Sequence, residues 1–289
     1  MDAKRDSVQP STYAGYERLG KNLLLTLGEK EISKITKVDI KELTKKLMER
    51  NDTDNTAKHY ITLLNGVLQW AEYLGYSLSS PGWRAEQPKI DKYHGASWYT
   101  VSEVKQLLDA AAESPIKCAL HIASYLGLRR SEISGLKWNY VNLQEKTIRI
   151  CEKRVQYSKV EGYMIDDSKK MKTAYSDRIL PIPDDLVEVL EAEPTKEGYV
   201  CKHADGRPQN PQYLSLTFSR LLKKHGLRKI RFHDLRHTCA SLLLQSGVDM
   251  KTVQIILGHG NYSTTADIYS HVDLTGKKNA MDKLNDIFS

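Results

Sequence analysis

The C-terminal part of the chain contains four side chains whose types and spacing could act on a phosphodiester. His233 and Arg236 stand three residues apart in the segment HDLRH, His259 follows 23 residues later, and Tyr269 comes ten residues after that. A guanidinium binds phosphate through a planar pair of donors, imidazoles donate to phosphate oxygens, and a phenol can attack phosphorus. The chain has 16 tyrosines and 9 histidines, so the joint spacing carries this hypothesis.

The segment HDLRH is interpreted as the start of a helix that faces a phosphate. His233 and Arg236 lie nearly one turn apart, so both face the same side. Asp234 is interpreted as a helix-start residue, and His237 as a buried histidine without a catalytic role. The two histidines also match the i, i+4 spacing of zinc proteases. However, aspartate replaces the expected glutamate and Arg236 would repel a cation, so no metal is predicted.

Composition limits the class of protein. A chain of 289 residues with 40% hydrophobic residues favours two domains with packed cores. It has no apolar run long enough to span a membrane and no signal peptide, and its four separated cysteines fit reduced thiols, so a cytoplasmic protein is predicted. The net charge of +7 favours an anionic partner such as nucleic acid. No GxxxxGK[ST] phosphate loop is present, and no cofactor is predicted.

Three amphipathic helices are predicted in the first part of the chain. The first runs from about Ser11 and ends at Gly28, the second has Asp39 as its N-cap, and the third runs from about Thr53 to Gly75. Their apolar stripes are Tyr13, Tyr16, Leu19, Leu23 and Leu27 in the first, Ile40, Leu43 and Leu47 in the second, and Tyr60, Leu63, Leu64, Val67, Leu68 and Ala71 in the third. Such helices predict a small bundle.

The second part of the chain mixes helices and strands. A segment up to Ser97 that is rich in Ser, Gly and Pro predicts a linker, and Thr100 or Ser102 can cap the helix that follows. A strand is predicted from Thr147 to Tyr157, and a polar turn from Asp166 to Asp177. The remaining predicted elements are a helix from Pro115 that ends at Gly127, a strand over RILPIP, helices over 184–191, 211–225, 234–246, 249–257 and 263–269, and a short amphipathic tail helix.

Four segments together resemble the signature boxes of tyrosine recombinases, a group of phage and conjugative-transposon integrases and chromosome-dimer resolvases. They are GLRRSEI from Gly127, HDLRH, LGH ending at His259, and IYSHV around Tyr269. The resemblance implies a mainly α fold with a small antiparallel β-sheet. It further implies a helical, SAM-like core-binding domain over 1–83, a linker over 84–97, and a mixed α+β catalytic domain over 98–289 that ends in a tail helix.

The resemblance also implies roles for individual residues. Arg129 and Arg236 would clamp the phosphate, His233 and His259 would bind its oxygens, Tyr269 would be the nucleophile, and Glu132 would orient a basic neighbour. Without the resemblance, the simpler interpretation of Arg129 is a surface arginine beside Arg130. Lys172 stands ahead of an Arg-x-x-Pro strand, which is where the family places the lysine that protonates the leaving 5′ oxygen. Lys169 and Lys170 are its neighbours, and a solvated lysine cluster is the alternative.

The implied activity is site-specific recombination of double-stranded DNA through a 3′-phosphotyrosyl intermediate, as an integrase of a mobile element. Family members act as tetramers on two sites, and the tail could dock on a neighbouring protomer or pack on its own domain. Accessory directionality or DNA-bending proteins are further expected partners. In the first domain, Thr56, Lys58, His59 and Tyr60 either face DNA or lie at a solvated helix start. An N-terminal arm-binding domain, which many integrases carry, is not expected within this chain.

Three other functions stay open at this point. A chromosome- or plasmid-dimer resolvase shares all the signature boxes. A type IB topoisomerase-like enzyme shares the tyrosine nucleophile but relaxes DNA without a partner strand. A basic DNA-binding regulator would need none of the six catalytic side chains, all of which are present here.

Overall fold

The computed structural model describes residues 2–5, 7–49, 54–76, 98–159, 162–170 and 177–258. The chain divides into two compact units. One holds Met1–His94 and Tyr157–Met164, and the other holds Gly95–Gln156 and Ile165–Ser289. The predicted linker over 84–97 lies outside the described ranges.

The first unit contains the three predicted amphipathic helices. Its helices are α1 (Asp2–Arg5), α2 (Pro10–Leu27), α3 (Lys37–Glu49) and α4 (Asp54–Tyr73), with a 3₁₀ turn at Ile32–Lys34. The prediction of Asp39 as an N-cap was wrong, because α3 starts before it. The Asp39 carboxylate accepts hydrogen bonds of 2.9 Å from the backbone N and Oγ1 of Thr36. Gly28 directly follows α2, as predicted, and ends the helix with a φ of −66°, without a left-handed conformation.

The core of the first unit lies between α2, α3 and α4. Its buried side chains are Leu23, Leu27, Ile40, Leu43, Leu47, Tyr60, Ile61, Leu64, Leu68 and Ala71. The predicted stripe of α3 is therefore confirmed. On α4, Val67 was wrongly included, since it is 43% exposed and faces outward.

The second unit holds the other α-helices of the described residues. They are α5 (Val101–Ala110), α6 (Lys117–Leu126), α7 (Arg130–Gly135), α8 (Asp184–Glu191), α9 (Pro211–Lys224), α10 (Asp234–Gln245) and α11 (Met250–Leu257). Thr100 caps α5, and its side chain and that of Glu103 accept from each other's backbone N–H. The predicted helices match α5, α6 and α8 to α11 within two residues at most ends. The short helix α7 was not predicted.

Two small sheets accompany these helices. Strands β1 (Val141–Asn142), β2 (Thr147–Ile150) and β5 (Arg178–Pro181) form an antiparallel sheet in the order β1-β2-β5, with Ile148 opposite Leu180. Strands β3 (Glu152–Lys159) and β4 (Gly162–Lys170) form a second sheet. Two predictions were wrong here: Thr147–Tyr157 is two strands interrupted at Cys151, and the predicted polar turn begins inside β4.

Glycine allows the elements of the second unit to approach closely. A Cβ at Gly135, the last residue of α7, would lie 2.6 Å from the backbone N of Arg154 in β3. Gly127 ends α6 with a φ of 59°, and a Cβ there would lie 2.6 Å from a methyl carbon of Leu257. The ends of α6 and α11 are therefore in direct contact. No helix in the described part of the chain is long and apolar enough to cross a membrane.

Candidate active site

Helix α10 lies against the C-terminal ends of α6 and α11, and it carries Arg236 into the space between them. The Arg236 side chain is 2% exposed. Its Nη1 donates to the carbonyl of Gly127 at 2.8 Å, and its Nη2 donates to the carbonyl of Leu257 at 2.7 Å. The last carbonyls of a helix have no partner within the helix and carry its negative dipole end, so both acceptors suit a guanidinium.

Arg129 reaches the same place from the start of α7. Its Nη2 donates to the carbonyl of Gly258 at 2.9 Å, next to the carbonyl that Arg236 binds. Its Nη1 donates to Oε1 of Glu132 at 2.7 Å, and its backbone N donates to Oε2 of the same carboxylate at 2.9 Å. The side chain is 33% exposed, so the guanidinium is held on one side and reaches solvent on the other. The structure thus brings together two arginines that are far apart in the sequence.

Glu132 is the carboxylate of this cluster, and its side chain is 1% exposed. Its Oε2 also accepts from Nη2 of Arg178 at 3.1 Å. Burial raises the pKa of Glu132, but the Coulombic attraction of Arg178, Arg129 and Arg236 outweighs it and holds the pKa below its usual value. Glu132 is therefore ionised at neutral pH and partly offsets the charge of three arginines.

The charged form of Arg236 is disfavoured at this buried position. Burial lowers its pKa to about 9, and the nearby positive charge of Arg129 acts in the same direction. The guanidinium still carries its charge at neutral pH. Two like charges held this close create a site that favours an anion, since a phosphate would reduce their repulsion.

Arg178 also belongs to this cluster, and the sequence did not predict that. Arg178 was used only as the arginine of the Arg-x-x-Pro strand that follows Lys172. The available signal was its register in β5, where Arg178 and Leu180 share the buried face. An arginine on the buried face of a strand requires an acceptor or a carboxylate partner.

His233 immediately precedes α10 and is exposed, with its ring edge-on to that of His237 at a centroid distance of 5.2 Å. Partial desolvation of the imidazole on the side that packs against His237, together with the electrostatic effect of His237 and Arg236, lowers the pKa of His233 to about 4. In this state His233 is neutral at neutral pH, so one ring nitrogen can accept a proton.

Asp234 and His237 complete the first turn of α10. Asp234 is buried and accepts from the backbone N of Arg231 at 2.8 Å and from its Nη2 at 2.7 Å, which agrees with its interpretation as a helix-start residue. His237 is half-buried, and its Nδ1 has no hydrogen-bond partner among the described residues. The sequence predicted a buried histidine here, and the structure buries His237 only in part.

Three predicted site residues, Lys172, His259 and Tyr269, lie outside the described residues, as does the C-terminal tail. His259 directly follows Gly258 in the chain, and the Gly258 carbonyl is the acceptor for Arg129. The described residues therefore end at the arginine cluster, one residue before His259 in the sequence.

The four residues predicted to contact DNA in the first unit lie at the start of α4 and differ in exposure. His59 is exposed, and Thr56 and Lys58 are half-buried. Tyr60 is 5% exposed, packs in the core of that unit, and its hydroxyl accepts from Nδ2 of Asn22 at 2.6 Å. Its burial argues against a direct contact of Tyr60 with DNA. Among all described residues, no group of three or more His, Cys, Asp or Glu side chains could hold a metal ion.

Comparison with known families matches residues 97–275 to the phage integrase family and residues 1–48 to the N-terminal SAM-like domain of phage integrases. The first match alone covers more than half of the chain. The chain belongs to the phage integrase family. A protein described as tyrosine recombinase XerC-like, from Caldanaerobacter subterraneus subsp. tengcongensis, is 28% identical to this integrase-family chain over 100% of the chain and 81% of its own length.

Solved structures share the fold of this family member. The Tn1549 transposon integrase in complex with transposon right end DNA has a TM-score of 0.81 at 22% identity, covering 98% of this chain and 96% of that one. A lambda integrase tetramer bound to a Holliday junction has a TM-score of 0.70 at 18% identity, covering 90% of this chain and 72% of that one. The predicted family and the predicted mainly α fold with a small antiparallel sheet are confirmed.

Proposed function

We propose that this chain is a site-specific DNA recombinase of a mobile element, which cuts and rejoins double-stranded DNA through a 3′-phosphotyrosyl intermediate. The observation that carries the proposal is the convergence of Arg129 and Arg236 on the adjacent carbonyls of Gly258 and Leu257. The two guanidiniums stand together at the point where the chain continues to His259 and Tyr269. This arrangement suits a phosphodiester, which carries one negative charge and two nonbridging oxygens.

In the proposed first step, the Tyr269 oxygen attacks phosphorus, and the bond to the 5′ oxygen breaks. His233, neutral before the reaction, accepts the phenol proton or donates to a nonbridging oxygen. Lys172 gives a proton to the departing 5′ oxygen. Arg129, Arg236 and His259 stabilise the charge that develops on the pentacoordinate phosphorus. Glu132 orients Arg129.

The second step reverses the first with a different strand. The 5′-hydroxyl of a partner strand attacks the phosphotyrosine, and Tyr269 leaves with its proton restored. The ester bond energy is kept in the intermediate, so the reaction requires neither ATP nor a metal. This exchange needs two DNA sites, and we propose a homotetramer whose tail docks on a neighbouring protomer. The lambda integrase tetramer on a Holliday junction supports that assembly.

The proposed substrate is DNA in the cytoplasm, bound by both units, with accessory directionality or DNA-bending proteins as further partners. Thr56, Lys58 and His59 are the proposed DNA contacts of the domain over 1–83, and the buried Tyr60 is no longer one of them.

Fold similarity to the transposon integrase supports an element-encoded enzyme. A dimer-resolving recombinase is the second candidate, because the XerC-like relative matches the whole chain. Sequencing recombined junctions separates the two: an integrase joins element ends to other loci, and a resolvase acts between copies of one site.

The nucleophile is tested by trapping the covalent complex on a nicked DNA site. The wild-type protein should form a protein–DNA adduct, and Tyr269→Phe should form none, because the phenylalanine ring has no oxygen to attack phosphorus. Tyr262→Phe is the matched control, since Tyr262 is the nearest other tyrosine. Adduct formation by Tyr269→Phe would contradict the assignment. A wild-type protein that binds DNA but forms no adduct would favour the non-catalytic regulator.

The assignment of Lys172 as the general acid is tested by changing the leaving group of the DNA. Lys172→Ala should slow cleavage of an ordinary site by about 10²–10⁴-fold, the usual contribution of a positioned acid. A 5′-bridging thiolate leaves without protonation, so cleavage of a site with that substitution should return towards the wild-type rate. Lys170→Ala is the control in the same lysine cluster. If Lys170→Ala shows the loss instead, the acid is misassigned within the cluster.

A further inference from the structure

Arg178, the first residue of β5, is buried and carries two long-range hydrogen bonds. Its Nε donates to the carbonyl of Ile256 at 2.7 Å, and its Nη2 donates to Oε2 of Glu132 at 3.1 Å. Only 5% of its side chain is exposed. It therefore cannot contact a DNA phosphate in this conformation, unlike Arg129.

Three arginines from three elements bind three successive carbonyls at the end of α11. Arg178 binds Ile256, Arg236 binds Leu257, and Arg129 binds Gly258. These carbonyls have no acceptor role left inside the helix, so side-chain donors fix the position and direction of its last turn. The same turn leads into His259.

Glu132 connects Arg178 to Arg129. Its Oε1 binds Arg129, and its Oε2 is shared by Arg178 and the backbone N of Arg129. Arg178 thus restrains the carboxylate that restrains Arg129. A planar guanidinium can bind both acceptors in fixed directions, which a lysine ammonium cannot do.

We propose that Arg178 is a positioning residue of the active site, which fixes Glu132 and the end of α11 and through them the orientation of Arg129 towards the scissile phosphate. The inference rests on the proposed recombinase function, since its readout is DNA cleavage. Loss of Arg178 should slow the chemical step and leave DNA affinity unchanged, because the Arg178 side chain is buried. A misplacement of about 1 Å in such a clamp can cost on the order of 10²-fold in rate.

The test compares Arg178→Met and Arg178→Lys with Arg154→Met in the full chain. Arg154 is an equally buried arginine of the same unit, bound to Asn210 at 3.1 Å and placed over the ring of Tyr199. Single-turnover cleavage of a nicked site at saturating DNA is measured beside the DNA dissociation constant. We expect Arg178→Met to lose about 10- to 100-fold in cleavage rate with unchanged affinity, Arg178→Lys to lose less, and Arg154→Met to cleave as the wild type does. Equal losses in Arg178→Met and Arg154→Met would overturn the proposal.

Two modified substrates separate positioning from general destabilisation. A methylphosphonate at the scissile position is neutral and needs no charge clamp, so the deficit of Arg178→Met relative to wild type should shrink on it. A deficit of the same size on both substrates would overturn the proposal. A 5′-bridging thiolate should leave the deficit unchanged, and rescue by it would instead assign Arg178 to the Lys172 segment.

A double-mutant cycle gives an independent readout. If Arg178 acts through Glu132, the rate losses of Arg178→Met and Glu132→Gln should be far from additive, and additive losses would overturn the proposal. The comparison with Arg154→Met, the modified substrates and the double-mutant cycle are all repeated with Arg178→Lys. The proposal can therefore still be tested if Arg178→Met does not fold. A wild-type protein that forms no covalent adduct contradicts the proposed function, whereas an active wild type with unaffected Arg178 variants contradicts only this inference.

Discussion

At the scale of the residue, Glu132 organises the arginine cluster. Its side chain is buried, although a carboxylate is normally found in contact with solvent. Its two oxygens accept hydrogen bonds from Arg129 and Arg178. A buried carboxylate paired in this way adds little net stability compared with an apolar core, but removing one partner leaves the others with uncompensated charge. The cluster is therefore sensitive to any change in a single member.

We predict that Glu132→Gln destabilises the protein by about 3 kcal/mol, the lower end of what breaking a buried ion pair costs, and slows cleavage at saturating DNA. The neutral amide leaves Arg129, Arg178 and Arg236 with unbalanced charge and frees the orientation of Arg129. Urea unfolding monitors the first effect and single-turnover cleavage the second. Glu103→Gln is the control, since Glu103 pairs with Arg228 outside the cluster. It should keep the wild-type cleavage rate, and a comparable loss there would refute the specific role of Glu132.

The pH dependence of this contribution follows from the lowered pKa of Glu132. Because the folded pKa lies below the unfolded value of 4.5, the stabilisation is fully present above about pH 4.5 and is lost as the pH falls through the folded pKa. The stability difference between the wild type and Glu132→Gln should therefore be constant near neutral pH and should narrow in acid. A difference that grows towards acid pH would contradict the ion-pair account.

The sequence predicted the members of the site better than their contacts. Arg129 and Arg236 were identified from the signature boxes with a role towards the phosphate, and Glu132 was expected to orient a basic neighbour that the sequence did not name. The hydrogen bonds to Gly127, Leu257 and Gly258 depend on the packing of α6 against α11, which no local pattern reveals. Arg178 was missed for the same reason, because its function depends on partners 46 and 78 residues away.

At the scale of the element, the site is built from helix ends. Gly127 was predicted to end α6, and Gly258 directly follows the helix predicted over 249–257. Both glycines adopt left-handed conformations, with φ of 59° and 66°. Their positions follow from local chemistry, as a residue with positive φ after a helix is usually glycine. The boundaries that were wrong, at Asp39 and within Thr147–Tyr157, depend on hydrogen bonds and strand pairing rather than on periodicity.

We predict that Gly127→Ala destabilises the second unit and slows cleavage. A methyl group there meets a positive φ and also lies 2.6 Å from Cδ2 of the buried Leu257 and 3.1 Å from Sγ of the buried Cys239, so these side chains or the ends of α6 and α11 must shift. Gly226→Ala is a matched control, with a φ of 64° and no atom within 4 Å of the added Cβ. Backbone strain alone costs on the order of 1 kcal/mol, and this control isolates it.

Both variants are compared by urea unfolding and by single-turnover cleavage. We expect Gly226→Ala to lose only the strain contribution and to cleave normally, whereas Gly127→Ala loses more stability and also activity, because Arg129 and Arg236 are anchored on both sides of the contact. If the two variants lose the same stability and cleave at the same rate, then backbone strain, and not the approach of α6 to α11, is the reason why position 127 requires glycine.

At the scale of the whole molecule, each unit has its own hydrophobic core, and the chain as a whole carries a net charge of +7. Net charge alone attracts any polyanion and does not identify the contacts. Phosphate contacts release counterions, so each one steepens the fall of affinity with salt by about 0.9 in log–log slope. The salt dependence therefore distinguishes a lysine that binds a phosphate from one that only adds to the net charge.

We predict that Lys58→Gln lowers the slope of log affinity against log salt by about 0.9, and weakens binding similarly for specific and unrelated DNA, because a phosphate contact reads no sequence. Lys34→Gln is the control in the same unit. It makes the same change in net charge, but Lys34 is exposed and pairs with Glu31 at 2.9 Å. Fluorescence anisotropy across a salt series gives both slopes. If the two variants change the slope equally, Lys58 acts only through net charge, and the proposed DNA contact at the start of α4 is wrong.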